Sequence, residues 1–196
     1  GVPEAPGGRG RRHWMRRRHE GSNVSYIRGH HPETLREIVD ERECLERLEE
    51  IGAQRSLAAL MERVWLLKVT DQLDEALLVA EQTVRTARMA GTRKDLLRAR
   101  ILHATVQQER GQLGAAAHEL TTCAEEAEGQ GWAGIAAFAY QHRGKVHLDG
   151  EDLDAARADF KRTLFLRQQA GAPEEQLETT LLAIDSTTPD GRSSID

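Results

Sequence analysis

The chain has 196 residues, enough for one domain with tails, and 39% of them are hydrophobic while 30% are charged. Only 4% are aromatic and long β-branched runs are missing, which argues against a sheet protein. No apolar stretch approaches the ~18 residues of a membrane span, and two cysteines are too few for a disulfide framework, so we expect a cytoplasmic protein without membrane contacts.

The N-terminal 30 residues differ in charge from the rest of the chain. They hold seven arginines against two glutamates, although the whole chain has a net charge of −5. They begin with the Gly- and Pro-rich stretch "GVPEAPGGRG" and have no hydrophobic period, so residues 1–30 are expected to form a flexible basic arm. The polar stretch 185–196 is expected to be a disordered tail for the same reason.

The arm supplies one functional hypothesis. Arginines can pair with phosphates and a tryptophan can stack on a base, so the arm suggests a nucleic-acid-associated regulator. An acidic protein partner, or the acidic remainder of this chain, is an equal alternative for the same charges. The residues concerned are Arg9, Arg11, Arg12, Trp14, Arg16, Arg17 and Arg18.

After the arm, three sets of residues recur at a spacing of 40. Leucines begin a helical pattern, alanines follow three residues later, and glycines close each segment, where left-handed glycine commonly ends a helix. Two amphipathic helices fit within each unit, and a period of this length indicates a solenoid. The sets are Leu73, Leu113 and Leu153; Ala76, Ala116 and Ala156; and Gly91, Gly131 and Gly171.

The predicted solenoid spans residues 31–184. Its three full units are 54–91, 94–131 and 133–171. The stretch "PETLREIVDERECLERLEEIG" (32–52) aligns with a second helix alone and is predicted to be a half unit. Residues 173–184 begin with Pro173, which suits the first turn of a helix, and are predicted to cap the last unit.

The repeat resembles the tetratricopeptide repeat. The third unit carries the pattern most fully, whereas the first two place Val64 and Ala104 where it has Gly144. The 40-residue period is similar to that of the long-helix type found in bacterial regulators. The matching residues of the third unit are Ala136 or Ala139, Tyr140, Gly144, Leu153, Ala156 and Phe160.

The resemblance implies an all-α, right-handed superhelical solenoid of antiparallel helix pairs that binds proteins. First helices would line a concave groove suited to an amphipathic helix or an extended peptide. No Asn accompanies the scattered cations, so the clamp that some members use for a terminal carboxylate is missing. The implied groove residues are Met61, Trp65, Lys68, Arg98, Ile101, Thr105, Gln108, Phe138, Gln141, His142 and Lys145.

Two alternatives stay open for this groove and its use. Trp65 and Phe138 can equally pack between adjacent helices, because aromatic residues at helical spacing are usually core. The partner is expected to be a protein or peptide bound in the groove. The alternatives are nucleic acid bound by the arm and self-association of the solenoid.

Enzymatic chemistry is not indicated by the sequence. His142 and His147 lie five residues apart and do not share a helix face, and no set of cysteines or carboxylates completes a zinc site around His103 and His118. The glycine-rich "GQGWAG" follows a helix and lacks the Lys-Ser/Thr of a phosphate loop. We therefore expect a binding protein without a metal or cofactor.

Overall fold

A computed structural model describes residues 26–188, which form a two-stranded hairpin followed by eight helices. The strands are β1 (Ile27–His30) and β2 (Glu37–Val39). The helices are α1 (Glu41–Ile51), α2 (Leu57–Val69), α3 (Leu73–Ala90), α4 (Arg93–Glu109), α5 (Leu113–Gly129), α6 (Ala133–Asp149), α7 (Leu153–Gln169) and α8 (Glu174–Ser186). Over this range, no helix is both long and apolar enough to cross a bilayer.

The helices pack in chain order, and this confirms the predicted all-helical, solenoid-like class for the repeat region. Each helix from α1 to α8 contacts the next one along the chain. Contacts also join α2 to α4 and α4 to α6, so the first helices of the three pairs form one continuous surface. We call this surface the first-helix wall.

The turns between helices follow the same 40-residue spacing. Asp71, Gly111 and Glu151 end the first helices with positive φ angles of 60°, 79° and 62°. Gly131 also adopts a left-handed conformation at the end of its unit. Gly91 differs, because its φ is −92° and its ψ is 173°.

The extended conformation at Gly91 corrects the expectation that it ends a helix in the left-handed region. The chain passes directly into α4, which begins with a reciprocal capping box between Thr92 and Asp95. A Cβ on Gly91 would lie 2.8 Å from the carbonyl oxygen of Ala87, so glycine is needed there for space.

Small residues form the seams between paired helices. Ala76, Ala116 and Ala156 are completely buried at equivalent positions of α3, α5 and α7. In the third pair, a Cβ on Gly144 would lie 2.5 Å from the ring of Phe160, which is itself fully buried. The backbone of α6 at Gly144 is therefore in direct contact with the Phe160 ring of α7.

Substituting alanine for Gly144 is expected to destabilise the protein by about 1–3 kcal/mol, because a buried ring has no room to move away. This cost outweighs the gain in helix propensity, which is about 1 kcal/mol. Urea unfolding followed by circular dichroism measures the change. Gly134→Ala is the matched control in the same helix, since its Cβ would meet open space. Equal stability of wild type and Gly144→Ala would contradict the close approach.

The N-terminal region differs from its prediction. Residues 32–40 were expected to be helical, but α1 begins only at Glu41, where the Asp40 side chain accepts a hydrogen bond from the Glu43 amide. Residues 27–39 instead form an antiparallel hairpin that pairs His30 with Glu37 and Ile27 with Val39. Residues 26–30, expected to belong to the flexible arm, are therefore part of an ordered element.

Candidate functional site

The turn of the N-terminal hairpin (residues 27–39) lies against the first-helix wall. Residues 34–37 face side chains from α2, α4 and α6 across a cavity of only about 10 Å³. This volume is at the lower limit for one water molecule, so hairpin and wall fit closely. The wall residues are Lys68, Gln108, Glu109, His142 and Lys145.

Leu35 is the apolar anchor of the hairpin. Leu35 is only 2% exposed and belongs to the cluster formed by Leu148, Ala156, Phe160 and Ala183. Its φ is +59°, a left-handed conformation that costs a leucine about 1–2 kcal/mol. Burial of the side chain offsets this cost, so the pocket holds Leu35 in a conformation that the free chain disfavours.

Arg36 follows the anchor and pairs with carboxylates at the ends of two first helices. Its Nη1 and Nη2 donate to the two carboxylate oxygens of Asp149 at 3.1 and 3.0 Å, and its Nε donates to the Glu109 carboxylate at 3.1 Å. Gln108 Nε2 donates to Asp149 at 2.9 Å and fixes that carboxylate. The hydrogen bonds to Asp149 raise the pKa of Arg36, although burial opposes this.

Glu37 carries the opposite charge and faces the ammonium groups of the wall. Burial alone would raise the pKa of Glu37, but Lys68 and Lys145 together hold it well below its usual value. Lys68 is anchored because its Nζ donates to Thr105 Oγ1 at 3.2 Å. Burial lowers the pKa of Lys145, and Glu37 partly opposes that effect. The segment Leu35-Arg36-Glu37 thus meets an apolar, an acidic and a basic subsite in turn.

His142 lies beside the basic subsite and is buried. Its ring packs edge-on against Phe138, with centroids 4.6 Å apart. Burial, followed by the charges of Lys145 and Lys68, lowers the pKa of His142 well below 6.5. The folded protein therefore keeps this imidazole neutral at pH values where an exposed histidine takes up a proton.

Acidification from pH 7.5 to 5.5 should destabilise the protein through His142. The unfolded chain binds a proton near pH 6.5 and the folded chain does not, so this contribution is complete above that pH and is lost below it. One such histidine lowers the free energy of unfolding by about 1 kcal/mol over this interval. Urea unfolding at both pH values measures the change, and His142→Gln should show a shallower pH dependence. An unchanged dependence in that variant would show that His142 does not titrate in this way.

Trp65 is covered by the hairpin and does not line an open groove. It is only 5% exposed and packs in a cluster with Ile27 and Val39 of the hairpin and Cys44 of α1. The Tyr26 ring lies with its centroid 6.2 Å from that of Trp65. Of the two alternatives for Trp65, the structure supports packing between elements.

The other predicted groove residues divide into two groups. Lys68, Thr105, Gln108, His142 and Lys145 come together at the wall, with Phe138 behind His142. The remaining four lie elsewhere. Ile101 is completely buried in the core and Met61 packs against the Ala87, Leu96 and Ala99 cluster. Arg98 is exposed and pairs with Asp95, while Gln141 accepts a hydrogen bond from Arg167.

Sequence reasoning missed the two acidic wall residues, although a signal for them was present. Glu109 and Asp149 are the last residues of α4 and α6 and lie 40 residues apart. A carboxylate at a helix C-terminus is unfavourable with the helix dipole, so a positive charge beside two such carboxylates is stabilising. Arg36 supplies that positive charge.

Two sequence-based expectations concern residues or ligands beyond this groove. The arginines of the proposed nucleic-acid arm, Arg9 to Arg18, and Trp14 lie outside the described residues. Among residues 26–188, no three histidine, cysteine or carboxylate side chains converge in a way that would hold a metal ion.

Comparison with known proteins adds no assignment. No protein-family model matches the chain, and no curated protein or solved structure is significantly similar to it.

Proposed function

We propose that the protein is an interaction module that binds a segment of a protein or peptide on its first-helix wall. In this proposal the helix pairs form a right-handed solenoid of the tetratricopeptide type, and the wall lines its concave side. One observation carries the proposal: the wall, together with α7 and α8, already holds a short polypeptide segment, Leu35-Arg36-Glu37, by its side chains.

The wall has the composition of a recognition surface. Buried lysines, a glutamine and a histidine are costly inside a helix stack unless something pairs with them. Here they surround the hairpin turn and contribute to its acidic and basic subsites. Side-chain subsites of alternating character give specificity for a particular sequence, while an apolar anchor supplies much of the affinity.

The proposed role is binding without chemical change of the partner. Lys68, His142 and Lys145 have acid–base reactivity, but each is buried at the cavity beneath the hairpin. Their surroundings instead favour recognition of a carboxylate, because two ammonium groups act on one acidic side chain.

Selection of peptides from a random display library tests this function. The bait is the full chain with Leu35→Asp, in which the anchor is replaced by a charge and the wall becomes available. Selected peptides should bind at least ~10-fold more weakly when Asp149→Asn is added, because the neutral side chain no longer pairs with a basic residue of the peptide.

Glu126→Gln is the matched control, since this carboxylate pairs with Arg93 on the exposed surface of α4 and α5. It should leave the affinities unchanged. Failure to select any peptide, or peptides that ignore Asp149→Asn, would refute the wall as the binding surface.

A further inference from the structure

We infer that the partner carries an apolar–basic–acidic triplet like Leu35-Arg36-Glu37, and that it binds by displacing the protein's own hairpin. This inference rests on the proposed function and specifies its ligand. The hairpin would then be an intramolecular competitor that occupies the wall until a partner replaces it.

The order of the subsites defines the partner. The apolar pocket lies between α6, α7 and α8, at Leu148, Phe160 and Ala183. The next position is acidic, since Glu109 and Asp149 converge on one guanidinium. The third is basic, because Glu37 lines the same small cavity as Lys68 and Lys145. In a segment with the two charges reversed, the acidic side chain would face Glu109 and Asp149. The basic side chain would face Lys68 and Lys145.

Arginine suits the acidic position better than lysine. Its planar guanidinium donates two parallel hydrogen bonds to Asp149 while its Nε reaches Glu109. A lysine ammonium cannot reproduce this fork, so the position selects arginine by geometry as well as by charge.

The construction of the hairpin makes it displaceable. Two main-chain hydrogen bonds close its turn internally, from His31 N to Arg36 O and from Leu35 N to His31 O, both at 2.8 Å. An isolated two-stranded hairpin is only marginally stable in water, so this hairpin depends on its contacts with the wall and with Trp65. Helix α1 begins with its own cap at Asp40, so release of residues 27–39 breaks no helix.

Competition by the hairpin sets the apparent affinity for a partner. If the wall is open in one molecule of a hundred, the partner binds about 100-fold more weakly than to an open wall. Strain at Leu35, whose φ is +59°, reduces the advantage of the closed form.

The test uses a fluorescent peptide with the sequence of residues 26–40, "YIRGHHPETLREIVD". Its binding by fluorescence anisotropy is compared between the full-length wild-type chain and the full-length Leu35→Ala variant. The peptide should bind the variant at least ~10-fold more tightly, because the variant's own hairpin competes less. A control peptide with Arg36 and Glu37 interchanged should bind at least ~10-fold more weakly than the original.

Three results would overturn the inference. The first is no peptide binding to Leu35→Ala although circular dichroism shows intact helices. The second is equal binding of the interchanged peptide. The third is a Leu35→Ala dimer in size-exclusion chromatography that excludes the peptide, which would identify a second copy of the chain as the occupant. In each case, library peptides that still depend on Asp149 would leave the proposed function standing.

Discussion

Replacing Trp65 with alanine is expected to lower the free energy of unfolding by about 3–5 kcal/mol, as is typical for deleting a buried tryptophan. The side chain joins three elements, because it packs within α2 against α1 and against the hairpin. Its removal leaves a cavity beneath Ile27 and Val39 that neither strand can fill while the hairpin stays paired. This structural role replaces the expectation that Trp65 is an exposed anchor for a partner.

Urea unfolding followed at 222 nm measures the loss. Phe165→Ala is the aromatic control, because Phe165 is 48% exposed and should cost less than ~1 kcal/mol. A loss below about 1 kcal/mol for Trp65→Ala would mean that the hairpin does not cover this side chain in solution.

The repeat region could be predicted from the sequence because its signals are local and recur. Ala76, Ala116 and Ala156 mark seams where neighbouring helices touch, and each lies three residues after the leucine that begins its helix. Such positions depend on helix geometry within one unit, and three copies in register make a chance pattern improbable. Contacts between distant units were not needed to find them.

The hairpin could not be predicted in the same way. Leu35, Ile38 and Val39 have spacings compatible with a helix that runs on into α1, and Pro32 suits a helix start. A local sign against this existed, since Asp40 followed three residues later by Glu43 is a capping pattern that begins a new helix. The strands themselves depend on packing against Trp65, which is distant in sequence.

The wall was predicted in part for a related reason. Lys68, His142 and Lys145 were assigned to the groove through the resemblance to the tetratricopeptide repeat. Their occupant could not be assigned, because the pairing of Arg36 with Asp149 joins residues 113 positions apart. Sequence periodicity describes the surface of a repeat, whereas a non-repeated segment bound to that surface leaves no periodic trace.

Replacing Leu35 with alanine should release the hairpin while the helices stay folded. Truncating a buried leucine costs about 2–5 kcal/mol, and alanine keeps the unfavourable left-handed conformation without the side chain that offsets it. The substitution should mainly weaken the docking of residues 27–39, because Leu35 is the one fully buried side chain of that element. Hydrogen exchange with mass spectrometry should therefore show faster exchange confined to the hairpin.

The amides of His31 and Leu35 are the most informative probes, since both are bonded within the turn. A loss of about 3 kcal/mol accelerates their exchange roughly 100-fold when local opening controls it. Amides of α4 to α6 should keep their protection, and Leu78→Ala, at a 66% exposed residue of α3, should change neither group. Equal acceleration in hairpin and helices would make them one cooperative unit. A wall whose cover opens only with the whole fold has no separate open state, so a partner would then have to bind elsewhere.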